Sequence, residues 1–503
     1  MDEFEQLQQK LVGMWEEIGS AVAEAEGQER TIVVAPSMSV DFPMTSIVHQ
    51  AYEERLLFML FLLRKPGIRM IYITSQVIQP EIVDYYLGLL PGMVGASARK
   101  RLFLVSPADG SARPLSEKLL DRPQLVRQIR SLISDPSQAH LVPFTTSNLE
   151  RELALQLGIP MYAADPRFFA FGTKSGCRRI FAEEGVKHPL GFEDLYSIEQ
   201  VVQSIARIRA QRPALKRVVV KLNESASGMG NALVNLMGLP EPGAPGELPA
   251  LAQRVEQMQL EAGGAHFDEY AATLVRNGAI VEEFLEGQEI RSPSAQLRAT
   301  PLGQVELLST HDQMLGGPSG QSYLGAIFPA DPAYSGAIMG DAARVGERLA
   351  REGIMGRFAL DFVVVKQEDG SWDSYAIEVN LRKGGTTAPF LILQYLTDGR
   401  YDPRSGCFET NQGRPKYYVS SDHIESEAYR AFTSQQLFDL VSHHQLHYNH
   451  ATQSGVVMHI ITGVGEMGRV GVTAIADSAA EAMALYRRFI ATLDREAAKL
   501  LAK

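Results

Sequence analysis

The stretch from Arg357 to Phe390 constrains this chain more than any other: RFALDFVVV, the turn-forming QEDGSWDS, then YAIEVNLRKGGTTAPF. Two runs rich in β-branched and aromatic residues on either side of Asp, Gly and Ser predict a β-hairpin. Residues two apart on a strand share a face, so Glu378 and Asn380 project together while Ile377 and Val379 turn into a core. Asp361 stands on the first run and Arg382 continues the face of Glu378 and Asn380. Two carboxylates and an amide converging on one sheet face form a hard, all-oxygen site. Such a site suits Mg²⁺ and leaves positions for water or phosphate oxygens. The plainer reading is a solvated hairpin whose charges face water.

Upstream the rhythm is different. TIVVAP at 31–36, RMIYITS at 69–75, RLFLVSP at 101–107 and HLVPFT at 140–145 read as strands. Helical patterns fall between them, around 47–64, 79–90 and 114–133, which predicts a mostly parallel sheet covered on both faces. The first strand runs into PSMSVDF without GxGxxG, so 29–165 is expected to be a Rossmann-like layer that shapes a substrate site without a nucleotide of its own. LLFMLFLL at 56–63, flanked by Arg55 and Arg64, is too short to span a bilayer and reads as a buried helix. Residues 3–26 carry Phe4, Leu7, Leu11, Met14, Ile18 and Val22 at helical spacing. That helix is expected either to clamp onto its own subunit or to form a homodimer contact.

At 503 residues a length prior gives about three domains. A hydrophobic share of 45% with 21% charged residues is that of a folded protein with a sizeable core. A formal net charge of -11 argues against a nucleic-acid partner. Cys177 and Cys407 give neither a disulfide framework nor metal-ligand spacing, which fits a reducing cytosol. The acidic opening MDEFEQLQQK has no apolar run of the kind a secretion signal needs, so the expectation is a cytoplasmic protein without membrane contact.

Phosphate-binding features follow the parallel layer. In GTKSGCRRIFAEEGVKHPLGF, 172–192, a helix opens near Thr173 and stops at Gly185, with Lys174 in its first turn. Lys174 is either a phosphate ligand or a solvated lysine. In RVVVKLNESASGMGNALV, 217–234, a strand carries Lys221 and runs into the small-residue loop Ser225–Gly230, including Ser227, Gly228 and Gly230. Glycines there let backbone N–H groups approach phosphate oxygens, although the Walker ending is missing and an ordinary hairpin is the alternative. AIVEEFLEGQEIRS, 279–292, is a strand ending in Glu282, Glu283, Phe284 and Leu285, then a turn and Glu289. Its end can offer backbone groups to an adenine and the Glu289 carboxylate to a ribose hydroxyl, or it is an edge strand facing water. Strands are expected at 294–300 and 304–310, with His311, Asp312 and Gln313 at a strand end before a Gly/Ser-rich loop that lines a pocket. His443, His444 and His447 lack partners at metal-ligand spacing and are expected at the surface. Residues 455–476 read as a hairpin and 478–502 as a closing helix.

In this order the motifs resemble the ATP-grasp superfamily of carboxylate–amine ligases over roughly 165–400. Lys174 and Lys221 look like the two nucleotide lysines, Ser225–Gly230 like the lid and Glu282–Leu285 like the adenine hinge. Glu289 looks like the ribose glutamate, and Asp361, Glu378 and Asn380 look like the magnesium ligands. The runs YITSQVIQPEIVDYYL, YAADPRFFAFGTKSGCRRIFAEEGV, LSTHDQMLGGPSGQ and EVNLRKGGTT are similar to the pheganomycin-type peptide ligase group. That group carries a pre-ATP-grasp domain, which extends the resemblance over nearly the whole chain. The fold implied is α/β, a Rossmann-like pre-ATP-grasp domain followed by a two-subdomain ATP-grasp fold. Its parts would be an N-terminal helix at 1–28, the pre-ATP-grasp domain at 29–165, subdomains at 166–281 and 282–477, and a closing helix at 478–503.

The chemistry implied uses ATP and Mg²⁺ to activate a carboxylate as an acyl phosphate, which an amino-acid or peptide amine then displaces to form an amide. Arg382 is expected at the transferring group, Arg291 and Arg298 at the donor carboxylate. His311, Asp312, Gln313, Gly384, Gly385 and Thr386 are expected to contact substrate. Ala388 departs from a histidine associated with the group at that place. Two other readings share the fold: a ligase that loads an amino acid onto the thiol of an acyl carrier protein, and a protein that binds ATP without ligation.

Overall fold

Phe4, Leu7, Leu11 and Met14 form one buried stripe on helix Glu3–Ile18, which fixes it against the chain's own body. Gln8 seals the contact, its side-chain amide donating to Met161 O at 2.9 Å and accepting from Met161 N at 2.7 Å. Of the two roles expected for this helix, the clamp is the one observed. The computed structural model describes residues 2–18, 29–39, 45–90, 95–225, 228–262, 264–317 and 320–502, so Val22 lies outside the described residues.

The four expected strands are present as β1 (Arg30–Ala35), β2 (Ile68–Ile73), β3 (Leu102–Val105) and β4 (Ala139–Pro143). They pair in parallel in the order β3-β2-β1-β4. Their near-continuous apolar runs bury both faces, as Val33, Val34, Ile71 and Tyr72 show. Strand order reverses between β1 and β4, and the crevice beyond such a pair of carboxyl ends is where open α/β sheets bind ligands. The segments after β1 and after β4, carrying Met38, Ser39, Phe144 and Thr145, leave the sheet there. LLFMLFLL forms the buried helix expected of it, in the tight 3₁₀ form over Glu54–Arg64.

Two antiparallel sheets follow. The first contains β5 (Gly191–Leu195), β6 (Arg217–Leu222), β7 (Asn231–Asn235), β8 (Gln259–Leu260) and β9 (Ala279–Glu283), in the order β5-β9-β6-β7-β8. Val218, Val220 and Val281 pack under helices Ile198–Gln211 and Glu247–Glu256. The second is built from β10 (Ile290–Arg291), β11 (Pro293–Ala299), β12 (Val305–Gly316), β13 (Ser322–Phe328), β14 (Gly356–Lys366) and β15 (Trp372–Asn380). A small pair, β16 (Arg400–Asp402) and β17 (Cys407–Glu409), stands apart before β18 (Tyr417–Glu425), β19 (Gly455–His459) and β20 (Arg469–Ala476) complete the large sheet. Its order is β10-β14-β11-β12-β13-β18-β20-β19, with β15 on β14. The expected hairpins at 357–380 and 455–476 are both present, as is the closing helix, Ala479–Leu501.

One stretch differs from expectation. β12 runs on to Gly316 because β11 pairs with its first part and β13 with its last, so His311–Gln313 lie inside a strand rather than at its end. The stretch expected as a loop after them supplies β13.

The parallel layer and the large sheet share one hydrophobic core. Polar bonds pin them together: Tyr86 OH donates to Met458 O at 3.1 Å, Met458 N donates to Tyr85 OH at 2.9 Å, and Thr462 bonds the Glu54 carboxylate. Among the described residues no helix is long and apolar enough to cross a membrane.

Burial pushes the Glu54 carboxyl up to about 8, against about 4.5 for an ordinary glutamate. Between those values the folded chain keeps a proton that the unfolded chain releases, so this group makes stability fall as pH rises through that window. Glu53, pushed up to about 7 by burial, acts in the same direction. Glu54→Gln is therefore expected to weaken the decline, which thermal unfolding of both proteins at a series of pH values from about 5 to 8 measures.

Candidate functional site

The hairpin of β14 and β15 sets the floor of the site. Asp361 pairs with Glu378 across the ladder, and Ala359 with Asn380. Register then slips by one: Phe362 faces Ala376, leaving Ile377 as the extra residue of a β-bulge. Simple alternation put Ile377 in the core beside Val379; the bulge turns it instead into the cavity that Asp361, Glu378 and Asn380 also line. Val379 keeps its expected place in the core. Asn380 Nδ2 donates to Asp361 Oδ2 at 3.0 Å, and Gln313 Nε2 to Asp361 Oδ1 at 2.9 Å. These bonds hold the carboxylate from two sides.

Lys174 opens helix Lys174–Glu183, capped by Thr173, and it is buried rather than solvated. Its ammonium is paired with the Glu378 carboxylate. Burial alone would lower the Lys174 pKa, but Glu378 outweighs it and holds the group above its ordinary value. Burial works equally against the charge of Glu378, yet Lys174, Lys221 and Arg382 hold that carboxyl below the usual glutamate range. Asp361 is pushed the other way, by burial and then by the neighbouring Glu378 charge. Lys221 is paired with Glu282, whose second oxygen takes Arg178 Nη1 at 3.2 Å. The Glu282 side chain is thus a buried counterion between two cations.

The cavity holds about 690 Å³ and reaches from Val219, Phe284 and Leu285 to Tyr52 and Arg55 of the parallel layer. Glu283 lines it as well, its N–H bonded to Leu190 O and its carboxylate accepting from Leu190 N. Five basic side chains (Arg55, Lys174, Lys221, Arg291, Arg382) meet five acidic ones (Glu282, Glu283, Asp312, Asp361, Glu378) on its walls. Among the described residues the two signs are matched in number on these walls. The hard oxygen donors around the under-compensated Asp361 are where a divalent cation fits. The set is two carboxylates and an amide; among the described residues no group of three or more His, Cys, Asp or Glu side chains is placed to hold a metal.

Most other expected site residues come to this cavity. Arg382 lines it with one hydrogen bond, to Lys383 O at 3.2 Å. Gly384, Gly385 and Thr386 form its edge before helix Thr387–Thr397, and a Cβ on Gly385 would lie 2.7 Å from the Tyr323 ring. Gly228 lines it at φ +80°, where a Cβ would meet Gln321 O at 2.8 Å. The loop after β6 therefore touches the β12–β13 turn across the cavity. Gly230 turns inward beneath it, and Ser227 lies outside the described residues. Asp312 lines the cavity but is engaged by Tyr334 OH at 2.7 Å and Asp331 N at 3.0 Å. Arg291 stands at the mouth, paired with Glu289 at 2.7 Å. Glu289 itself is held there by Lys366 at 3.0 Å and does not line the cavity.

Two more expected residues lie away from the cavity. Arg298 lies four residues past Ser294, about 13 Å further along β11. There it pairs with Glu306, Nε to Oε2 at 2.8 Å, and packs over Trp15. His311 shares the face of its ladder partner Ser294, but the Phe328 and Tyr418 rings pack against it. It is fully buried, bonded to Tyr418 OH at 2.7 Å, and burial drives its pKa down to about 3.

Residues not assigned to the site from the sequence complete it. Arg55, paired with Asp422 and lying 4.0 Å over the Tyr52 ring, enters the cavity beside Tyr323 and His423. Its one signal in sequence was its place at the edge of an apolar run, which explained it as a flank. Lys383 donates to Pro143 O at 2.6 Å, tying the end of β4 to the loop that carries Arg382. Burial pushes the Lys383 ammonium down to about 7.

A protein-family model described as "IQCH-like, ATP-grasp" matches residues 168–241 and 244–404, and one described as "PGM1 C-terminal domain" matches 436–489. The chain is 32% identical to L-propargylglycine--L-glutamate ligase of Streptantibioticus cattleyicolor over 84% of its own length and 86% of that protein. It is 25% identical to IQ motif-containing protein H of Danio rerio over 81% of its length, spanning 42% of that longer protein. The solved ADP complex of N5-carboxyaminoimidazole ribonucleotide synthetase shares its fold, with a TM-score of 0.52 at 11% identity over 93% of this chain and 97% of that one.

Removing Glu282 would leave Lys221 and Arg178 buried without their common partner. Glu282→Ala is expected to cost about 3 kcal/mol of stability, read by urea unfolding. A loss well under about 1 kcal/mol would show that the two cations find other partners.

Proposed function

The chain belongs to the ATP-grasp family, and we propose that it joins the carboxylate of one amino acid to the amine of another amino acid or short peptide. It is an ATP-dependent, ADP-forming carbon–nitrogen ligase. The amino-acid substrates are inferred from the Streptantibioticus relative, an L-propargylglycine--L-glutamate ligase whose match covers most of both chains. The observation that carries the reading is the convergence of Lys174, Glu378, Asp361, Asn380 and Arg382 on one wall of a cavity that also has an apolar, hinge-like end.

The difficulty of the first step is electrostatic: a carboxylate must approach a triphosphate. In our reading the adenine lies against Phe284 and Leu285, with Val219 and Ile377 on the apolar walls. Lys221 and Lys174 face the phosphates, and the Glu378 charge holds the buried Lys174 ammonium above its ordinary pKa. Glu289 and Arg291 guard the mouth, and Glu289 would have to give up Lys366 or Arg291 to meet a ribose hydroxyl. Asp361, Glu378 and Asn380 would hold Mg²⁺, which supplies charge neutralisation of the β- and γ-phosphates when bound. Arg382, with one hydrogen bond among the described residues, has further donors for the transferring phosphoryl group or the acyl oxygen. The donor carboxylate oxygen attacks the γ-phosphorus, ADP leaves, and the acyl phosphate is then displaced by the amine. Gly228 and the β12–β13 turn shield that intermediate from water.

The reading is tested by screening amino acids, singly and as donor–acceptor pairs, for ADP release and for product mass. ADP and phosphate in step with an amide product are expected; stoichiometric AMP and pyrophosphate would refute the assignment. A product linked through a carrier-protein thiol would replace the amine by a thiol acceptor. Glu378→Ala is expected to lower turnover at least ~100-fold while the circular dichroism spectrum is kept. Retention of most turnover at saturating Mg²⁺ would remove Glu378 from the metal set.

A further inference from the structure

The reaction has three substrates, and pockets of roughly 300–1,000 Å³ each enclose about one ligand of nucleotide size. A nucleotide and a small donor acid account for the cavity described above. A second cavity of about 600 Å³ lies beside it, between the segment after β4 and the loop after β6. Among the described residues the two share Thr145, Lys174, Glu378, Asn380 and Arg382. An occupant of the second cavity meets the first one only where the acyl phosphate would form.

Its walls are graded. Inward lie the shared Lys174 and Glu378, at 7% and 21% side-chain exposure. A hydroxyl-rich collar follows, from Thr145, Thr146 and Ser147 at the carboxyl end of β4. Outward stand Arg151 and Arg167, at 30% and 49%, with Phe169 half exposed beside them. Arg151 is paired through Nη2 with Asp2, but its Nε is buried with no hydrogen-bond partner among the described residues. Arg167 is paired with Glu5 and, at 3.7 Å, with Asp165. The inner wall carries the Glu378 carboxylate beside the Lys174 and Arg382 cations, and two guanidiniums stand near the mouth; that suits a molecule with a free-base amine at one end and a carboxylate at the other.

We infer that this second cavity is the entry chamber for the amine substrate, an α-amino acid or short peptide. Its carboxylate is held by Arg151 and Arg167, its side chain lies on Phe169 and its amine points to the shared wall; the inference rests on the ligase reading. The amine, as free base, attacks the acyl carbon from this side. The bond from that carbon to the phosphate oxygen breaks with its electron pair on the oxygen, and the proton shed by nitrogen leaves with the phosphate.

The test is a competition between a pool of common L-amino acids and hydroxylamine, in the full-length protein with MgATP. Hydroxylamine is small enough to reach the acyl phosphate without the carboxylate contacts. The ratio of amide to hydroxamate is expected to fall about tenfold in Arg167→Gln, the loss of one charged hydrogen-bonding contact. Phe169→Ala, at an exposed position, should lower the same ratio. An unchanged ratio in both variants, or a loss that falls on amide and hydroxamate alike, would overturn the chamber. Absence of both products from the wild-type protein would instead refute the ligase reading itself.

Discussion

The structure depends on a rule about buried charge: a cation can be taken out of water only beside a partner that keeps it charged. Lys174 and Lys221 are both buried, and each is held by one glutamate, Glu378 or Glu282. The first pair ties a helix start to β15 of the large sheet, and Arg178 of the same helix reaches Glu282 on β9 of the other, so the electrostatics of the cavity and the relative placement of the two antiparallel sheets are a single problem. Arg178 enters as the second partner of Glu282. A cavity assembled this way is preorganised, because its dipoles and charges are fixed by the same contacts that hold the fold.

The parallel layer has a part in this despite carrying no phosphate loop. Its strand order reverses at β1 and β4, and the segments leaving that switch point form walls of both cavities. It also supplies Arg55, carried at the start of a helix whose Leu and Phe residues are packed into the shared core. Lys383 and the Glu54–Thr462 contact keep the layer in place against the large sheet. The net charge of -11 therefore says little about the site, where acidic and basic side chains are matched.

The parts of the fold that were legible in advance are those fixed by neighbours in the chain. The parallel strands with their intervening helices, the β14–β15 hairpin and the cluster of Asp361, Glu378 and Asn380 follow from periodicities and turn residues that act over a few positions. Lys174 was placed at a helix start from the threonine and glycines around it, while its burial had no local signal. The extent of β12 was missed because pairing on both sides, not composition, carried the strand through His311–Gln313.

By itself the sequence determined which residues share a strand or a helix turn, and hence the order of chemistry-bearing motifs along the chain. The tertiary structure decided what each of them faces. Ile377 enters the cavity because one extra residue in β15 shifts the ladder, and a register depends on the partner strand. His311 is lost to the core because aromatic residues from β13 and β18 pack against it. Arg298 is lost because four residues of extended chain carry it past the cavity's end. Arg55 and Arg167 gain their places because domains distant in sequence meet there. Burial and pairing are properties of the whole packed chain, so no window of a few residues contains them.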